Sequence, residues 1–393
     1  MASSREDLTC GRAPRPLRAP ARARVVVAPD KFKGSATARH VAAAVAEGMR
    51  RAAPAWDVLE VPVADGGEGT VDAALAAGFA PLATTVAGPV GEPRQATIAV
   101  RGDVAIVELA QASGIELLPG DGLAPLRATS RGTGDLVRYA LDRGCRTIVL
   151  GVGGSACSDG GAGMLAALGA TPRDAHGEPV PDGGGALRDV ASVDLDGLDP
   201  RVAGCRVILA SDVDSPLLGP DGAVAVYGPQ KGADAAQRSV LEEGMANWAR
   251  LVGLPWADAP GAGAAGGVGF AALAALHAHR RPGVDVVLEL VDFEAAITGA
   301  TLVVTGEGRL DEQSLRGKAP MGVIAAARAH GLTVVAVSGQ CALAPSVLRD
   351  AGVARSYALA DLEPDVERSM RRVRELLVTV GATIAADVGR QVE

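Results

Sequence analysis

Short runs of β-branched residues recur along the chain, and each gives way at once to a polar, glycine-bearing turn. Val25-Val26-Val27-Ala28 ends in Pro29-Asp30 and passes through Gly34-Ser35 into residues 36–51. There Val41, Val45 and Met49 repeat at i, i+4 and i+8, which predicts an amphipathic helix capped by Ser35 or Thr37. The same alternation follows Thr147-Ile148-Val149-Leu150, which leads into a glycine-rich loop and a helix around Met164. Val207-Ile208-Leu209-Ala210 runs into Ser211-Asp212-Val213-Asp214, and Thr301-Leu302-Val303-Val304 into Thr305-Gly306-Glu307-Gly308. Thr333-Val334-Val335-Ala336-Val337 runs into Ser338-Gly339. Uninterrupted runs of this kind fit strands buried on both faces of a parallel sheet. In such sheets ligands gather at the carboxyl ends of the strands, so the polar turns are the places to look for chemistry.

Other stretches have a different texture. Residues 97–100 and 104–107, joined by Arg101-Gly102-Asp103, read as a β-hairpin. Residues 171–200 are rich in Pro, Gly and Asp and read as loop with short strands. A glycine-rich run at 261–269 precedes a predicted helix over 270–279. Residues 363–392 read as one long helix, with Val366, Met370, Val373, Leu377, Val380 and Ile384 in register.

The 393 residues suggest two or three domains. With 48% hydrophobic and 21% charged residues the chain has ample core and is not a disordered tail protein. Aromatics are 3%, so stacking platforms for single strands are not expected, and a net charge of −8 argues against a nucleic-acid partner. The cysteines Cys10, Cys145, Cys157, Cys205 and Cys341 are scattered and odd in number, which predicts a reducing, cytoplasmic setting without a disulfide framework or thiolate zinc site. No apolar run is long enough to span a bilayer. Residues 1–24, rich in Arg and Pro, read as a disordered N-terminal tail.

Lysine occurs only at Lys31, Lys33, Lys231 and Lys318, among 38 basic residues, and always in a Gly- or Pro-punctuated loop. A compact ammonium kept where the chain otherwise uses arginine suggests a phosphate or carboxylate to be bound, with Lys33 and then Lys318 foremost. Several loops add acids or amides. Asp65-Gly66-Gly67-Glu68-Gly69-Thr70 sets two carboxylates among glycines, a pattern fit for hydroxyls or a metal and equally for a turn with a capped helix. Gly151-Val152-Gly153-Gly154-Ser155 and Ser158-Asp159 lie between a strand and a helix, a placement that suits an anion. Asp212 and Asp214 at a strand end could ligate Mg²⁺, act as base, or simply close an Asx-turn. Glu307, Arg309 and Asp311 could bind a ligand or form structural ion pairs. None of the five histidines pairs with a nucleophile, so hydrolase and zinc chemistry are not indicated.

Taken together and in this order, Ala28-Pro29-Asp30-Lys31-Phe32-Lys33-Gly34-Ser35, Ala64-Asp65-Gly66-Gly67-Glu68-Gly69-Thr70, Gly153-Gly154-Ser155, Gly228-Pro229-Gln230-Lys231-Gly232-Ala233 and Thr305-Gly306-Glu307-Gly308-Arg309 resemble the bacterial type I glycerate kinases. The resemblance runs from about Val25 to the C-terminus. It implies an α/β protein with a Rossmann-like parallel-sheet domain formed by both chain ends, residues 25–64 and 290–393, and a second α/β domain, 65–289, inserted between. It also implies transfer of phosphoryl from ATP, with Mg²⁺, to a hydroxyl of D-glycerate, mostly giving 2-phosphoglycerate. Two motifs depart from the family pattern: Cys157 and Ser158 stand where Thr and Asn are usual, and Ser211 and Ser215 where Cys and Asn are usual.

On that reading Lys33 and Arg309 meet the carboxylate or phosphate charge, while Asp30, Ser35, Asp65, Glu68 and Glu307 face the substrate. Gly153, Gly154, Ser155, Asp159, Lys231 and Lys318 hold the nucleotide, and Asp212 with Asp159 orders Mg²⁺. Asp65, Asp212 and Lys33 are the catalytic group, with the base left open among Asp30, Asp65, Glu68 and Asp212. A kinase for another small hydroxy acid or sugar, or a sugar-acid sensor without turnover, is the alternative.

Overall fold

The structure is a computed structural model that describes residues 23–389 except Asp121 and Arg316. Residues 1–22, nearly all of the expected N-terminal tail, lie outside it, and Arg24 already opens the first strand. Strands are numbered in chain order: β1 (Arg24–Pro29), β2 (Asp57–Glu60), β3 (Ala80–Ala87), β4 (Pro93–Arg101), β5 (Val104–Glu108) and β6 (Thr147–Gly151). They continue with β7 (Thr171–Arg173), β8 (Ser192–Asp194), β9 (Arg206–Ala210), β10 (His279–Arg281), β11 (Leu302–Leu310), β12 (Thr333–Cys341) and β13 (Arg355–Ala358).

Two sheets carry the architecture, and the protein is α/β as its sequence predicts. The first has five strands in the order β13-β12-β11-β1-β2, all parallel, so strands from both ends of the chain share it. Its middle strands are buried because helices cover both faces. Ala38–Ala52 and Val373–Gly389 pack on one side with Val25, Val27 and Val304, and Ala319–Ala329 packs on the other with Val26 and Val303. Chain order reverses between β1 and β11, the kind of switch point where open α/β sheets bind ligands.

The second sheet has six strands, β10-β9-β6-β5-β4-β3. It is parallel from β10 to β5 and antiparallel from β5 to β3, because the expected hairpin β4–β5 turns back at Gly102. A small antiparallel pair, β7 and β8, lies in the 171–200 stretch.

Three local expectations are corrected. The C-terminal segment is two helices, Val366–Arg371 and Val373–Gly389, separated at Arg372, and Val366 and Met370 stay exposed while Val373 onward is packed. The helix expected over 270–279 is Ala264–Ala275 with a left-handed kink at Ala265–Gly267, and His279 begins β10. The Glu307 motif does not follow its strand but lies inside it: β11 continues to Leu310 because β12 extends beside it, pairing Glu307 with Ser338 and Arg309 with Gln340. Among the described residues, no helix is long and apolar enough to cross a membrane.

Candidate active site

The carboxyl ends of the parallel strands of both sheets open onto one crevice. It has two adjoining cavities of about 500 Å³ and 470 Å³. The first is lined by Asp30, Glu68, Glu307 and Lys318 among others, the second by Ser155, Asp212 and Lys231. Lys33, Asp65, Gly67, Gly153 and Gly154 line both and form the seam.

The seam depends on backbone closeness. The turn 65–69 lies directly on the end of β6, and a Cβ on Gly153 would come within 2.6 Å of the Gly67 Cα, so only glycine fits there. Gly66, with φ +82°, turns the chain between this contact and Gly283. Asp65 Oδ1 accepts the Gly67 N–H at 3.1 Å, which closes the turn on itself.

On the first sheet, Asp30 follows β1 and its N–H donates to the Gly306 carbonyl of β11 at 2.8 Å, so Asp30 and Glu307 sit at the switch point. Asp30 is 5% exposed, and burial pushes its carboxyl up to about 7 despite Lys31, with Asp65 and Glu307 adding to the rise. Burial also raises Glu307, opposed by Ser314 and by Lys318, whose Nζ is 3.3 Å from Glu307 Oε2. Lys31 is pulled down by burial, but Asp30, Asp65, Glu68 and Glu108 more than offset this and raise it. Its Nζ donates to the Glu68 carbonyl at 2.7 Å. Lys33 and Arg309 are exposed at the rim, 3.6 Å from Glu116 and 3.5 Å from Asp311 respectively. Ser35 Oγ donates to the Phe32 carbonyl at 3.0 Å.

On the second sheet, Asp212 follows β9. Its Oδ1 accepts the Gly283 N–H at 2.7 Å, while Oδ2 is buried with no hydrogen-bond partner. Burial raises this carboxyl to about 7, with Gly283 opposing and Asp65 adding. Lys231 is buried, and its Nζ donates to Ser155 Oγ at 2.8 Å and to the Cys157 carbonyl at 2.5 Å. Desolvation lowers the Lys231 ammonium, with Cys157 and Asp159 opposing.

Asp159 is not in this crevice. It is fully buried, and its oxygens already accept hydrogen bonds from Ser130 N and Oγ, Gly161 N and Gly163 N. It organises the loop after β6 rather than reaching a ligand. Ser158, where the family pattern has Asn, is buried with an unpartnered hydroxyl and lines neither cavity. The remaining expected site residues all line the crevice.

The same fold and crevice frame the comparisons with known proteins. The model of the glycerate kinase family matches residues 25–389. The chain belongs to the glycerate kinase family. It is 40% identical to a glycerate kinase of Bacillus subtilis (strain 168) over 372 residues, covering 93% of this chain and 97% of the relative. It is also 40% identical to the glycerate 2-kinase of Escherichia coli (strain K12) over 370 residues, covering 92% and 97%. A crystal structure described as a candidate glycerate kinase 2 from Salmonella typhimurium LT2 superposes with a TM-score of 0.80 at 38% identity, covering 94% of this chain and 99% of that one.

The kinase is thus a phosphotransferase, and three features of its crevice escape a reading of the sequence. Glu108, at the end of β5, reaches the 65–69 turn; its only trace in the sequence is an acid closing an apolar strand. The lysine pattern marks Lys31 together with the other three lysines but not its bond to the Glu68 carbonyl. Leu359, Val366, Met370 and Val373 form an apolar wall of the first cavity, and helical periodicity reads them only as packing.

Proposed function

We propose that the kinase transfers the γ-phosphoryl group of ATP to a hydroxyl of D-glycerate, giving 2-phosphoglycerate, with Mg²⁺ as cofactor. One observation carries this: Asp65 is the single carboxylate that lines both cavities, among their described residues. Phosphoryl transfer needs two ligands held end to end, charge neutralisation and a group to accept a proton, and little covalent chemistry from the protein.

In this reading Lys231, Ser155 and the Gly153–Gly154 backbone hold the nucleotide phosphates. Lys318 adds charge from the other side. Lys33 and Arg309 meet the glycerate carboxylate, and Asp30, Ser35, Glu68 and Glu307 bind its hydroxyls. Asp65 accepts the proton of the attacking hydroxyl, since it stands at the seam.

Among the described residues, no group of three or more His, Cys, Asp or Glu is arranged to hold a metal alone. That agrees with Mg²⁺, which takes one or two carboxylates and completes its shell with water and phosphates. Asp212 fits this role, because its buried Oδ2 lacks any partner. Asp159 does not, since protein donors already occupy it. When bound, Mg²⁺ would neutralise charge on the transferring phosphates.

Residues 25–64 with 290–393, and 65–289, are taken as two domains that close over the ligands. The cytoplasm is the proposed compartment, supported by free Cys145, Cys157, Cys205 and Cys341. A coupled assay of ATP consumption against D-glycerate and related hydroxy acids, with the product isomer identified, tests the proposal. Turnover of another acid at higher kcat/KM, or binding without turnover, would replace it.

A further inference from the structure

Glu108 is buried at 1% exposure, on a strand whose other residues, Val104 to Val107, are apolar. Packing alone would be served by another Val or Leu at that position. A carboxylate enclosed in protein is costly unless it accepts strong donors. Here Oε2 accepts the N–H of Gly69 at 3.2 Å and of Val71 at 3.0 Å. These amides open the helix Thr70–Ala76, whose cap position is Gly69, with no side chain to cap it. The acid of one sheet therefore caps the helix that follows the Asp65–Gly69 turn.

The turn is also held from the opposite side. Lys31 extends from the loop after β1, on the five-stranded sheet, and donates to the Glu68 carbonyl at 2.7 Å. A carboxyl group on one sheet and a cation on the other thus grip the two sides of the same Glu68–Gly69 peptide group, and the carboxyl group also holds the Val71 amide. Glu108 also lines a third recess of about 170 Å³, together with Glu68, Lys33 and Gly154, so the grip adjoins the seam.

We propose that Glu108 is a positioning residue of the phosphoryl-transfer site: with Lys31 it fixes the 65–69 turn so that Asp65 and Glu68 stay aimed into the crevice. This rests on the roles given above to Asp65 and Glu68. Glu108 itself does not touch the reacting atoms.

The test pairs amide hydrogen exchange with steady-state kinetics on full-length E108Q and E108D. Glu108→Gln should speed exchange in peptides spanning residues 65–72 by about tenfold or more and leave β12 unchanged. It should lower kcat by about 10- to 100-fold while KM for ATP stays within twofold. Glu108→Asp keeps the carboxyl group and should recover part of both. Native exchange across 65–72 in E108Q, a kcat within twofold of wild type, or a loss confined to KM for ATP would overturn the proposal. If E108Q does not fold, Lys31→Gln releases the same turn from the more open side, and normal exchange with normal kcat in that variant overturns it equally. An enzyme without activity on glycerate but with the predicted exchange change would sink the functional reading and leave the grip standing.

Discussion

Lys231 and Ser155 are 76 residues apart in sequence, yet the buried Lys231 Nζ donates to Ser155 Oγ at 2.8 Å at the mouth of the loop after β6. The ammonium is buried and is held by Ser155 Oγ and the Cys157 carbonyl, beside the second cavity. Lys231→Met should raise KM for ATP and lower kcat/KM by roughly 10- to 100-fold, the span expected for losing a charge-assisted hydrogen bond of about 1.5–3 kcal/mol. Lys231→Arg should not restore it, because the wide guanidinium does not fit a site built around a compact charge. Initial-rate kinetics with varied ATP decide this, and an unchanged KM for ATP in Lys231→Met would remove the phosphate role.

Asp212 offers an unpartnered buried carboxylate oxygen to the second cavity, as Glu307 Oε1 does beside the first. Asp212→Asn should raise the Mg²⁺ concentration needed for half-maximal rate by about tenfold or more, since it removes one anionic ligand. A Mg²⁺ titration of the rate, with circular dichroism to check the fold, measures it. The same half-saturation in both proteins would place the metal elsewhere.

Asp30 and Asp212 are each raised to about 7 by burial. The rate should therefore fall as pH drops below about 7, as carboxylates needed in the ionised form take up protons. With Asp30 and Asp212 titrating in the same range, the midpoint is not assigned to either residue alone. Stability runs the other way. Between the ordinary carboxylate range and about 7 the folded chain binds more protons than the unfolded one. The stabilising effect of these groups is thus full at low pH and lost as pH rises through 7. Asp30→Asn removes a buried charge, so at pH 8 without ligands it should melt about 2–5 °C above wild type, with a smaller difference near pH 5. Calorimetry at the two pH values checks the sign.

Gly153 has no room for a side chain, because a Cβ would stand 2.6 Å from the Gly67 Cα. Gly153→Ala should push the 65–69 turn away, costing about 1–3 kcal/mol and most of the activity. Thermal melting and kcat measured together test this. A fully active Gly153→Ala would mean the two loops are not in contact in solution.

Much of the molecule is legible in the order of its residues. The β-branched runs at Val25, Thr147, Val207, Thr301 and Thr333 each form a strand, since a strand buried on both faces needs no partner to betray itself. The rare lysines mark loops that do line the crevice. Expectation and fold part where a neighbour overrides local preference. The Glu307 motif looks like a loop because of its glycines, but pairing with β12 keeps it in the strand. Helical register carries the tail through Arg372, although only the part from Val373 onward has the Ala38–Ala52 helix to pack against.

The order of apolar runs and punctuating glycines along the chain determined the α/β class, the main strands and the turns worth watching, because periodicity and backbone freedom are local properties. Tertiary structure alone decided that Asp159 serves its own loop while Asp212 keeps a bare oxygen, that Asp65 stands between two cavities, and that Glu108 reaches across to the turn beside it. Which donors surround a buried carboxylate is settled in part by segments tens of residues away, as Ser130 is from Asp159, Gly283 from Asp212 and Gly69 and Val71 from Glu108, and spacing in sequence carries no record of that approach.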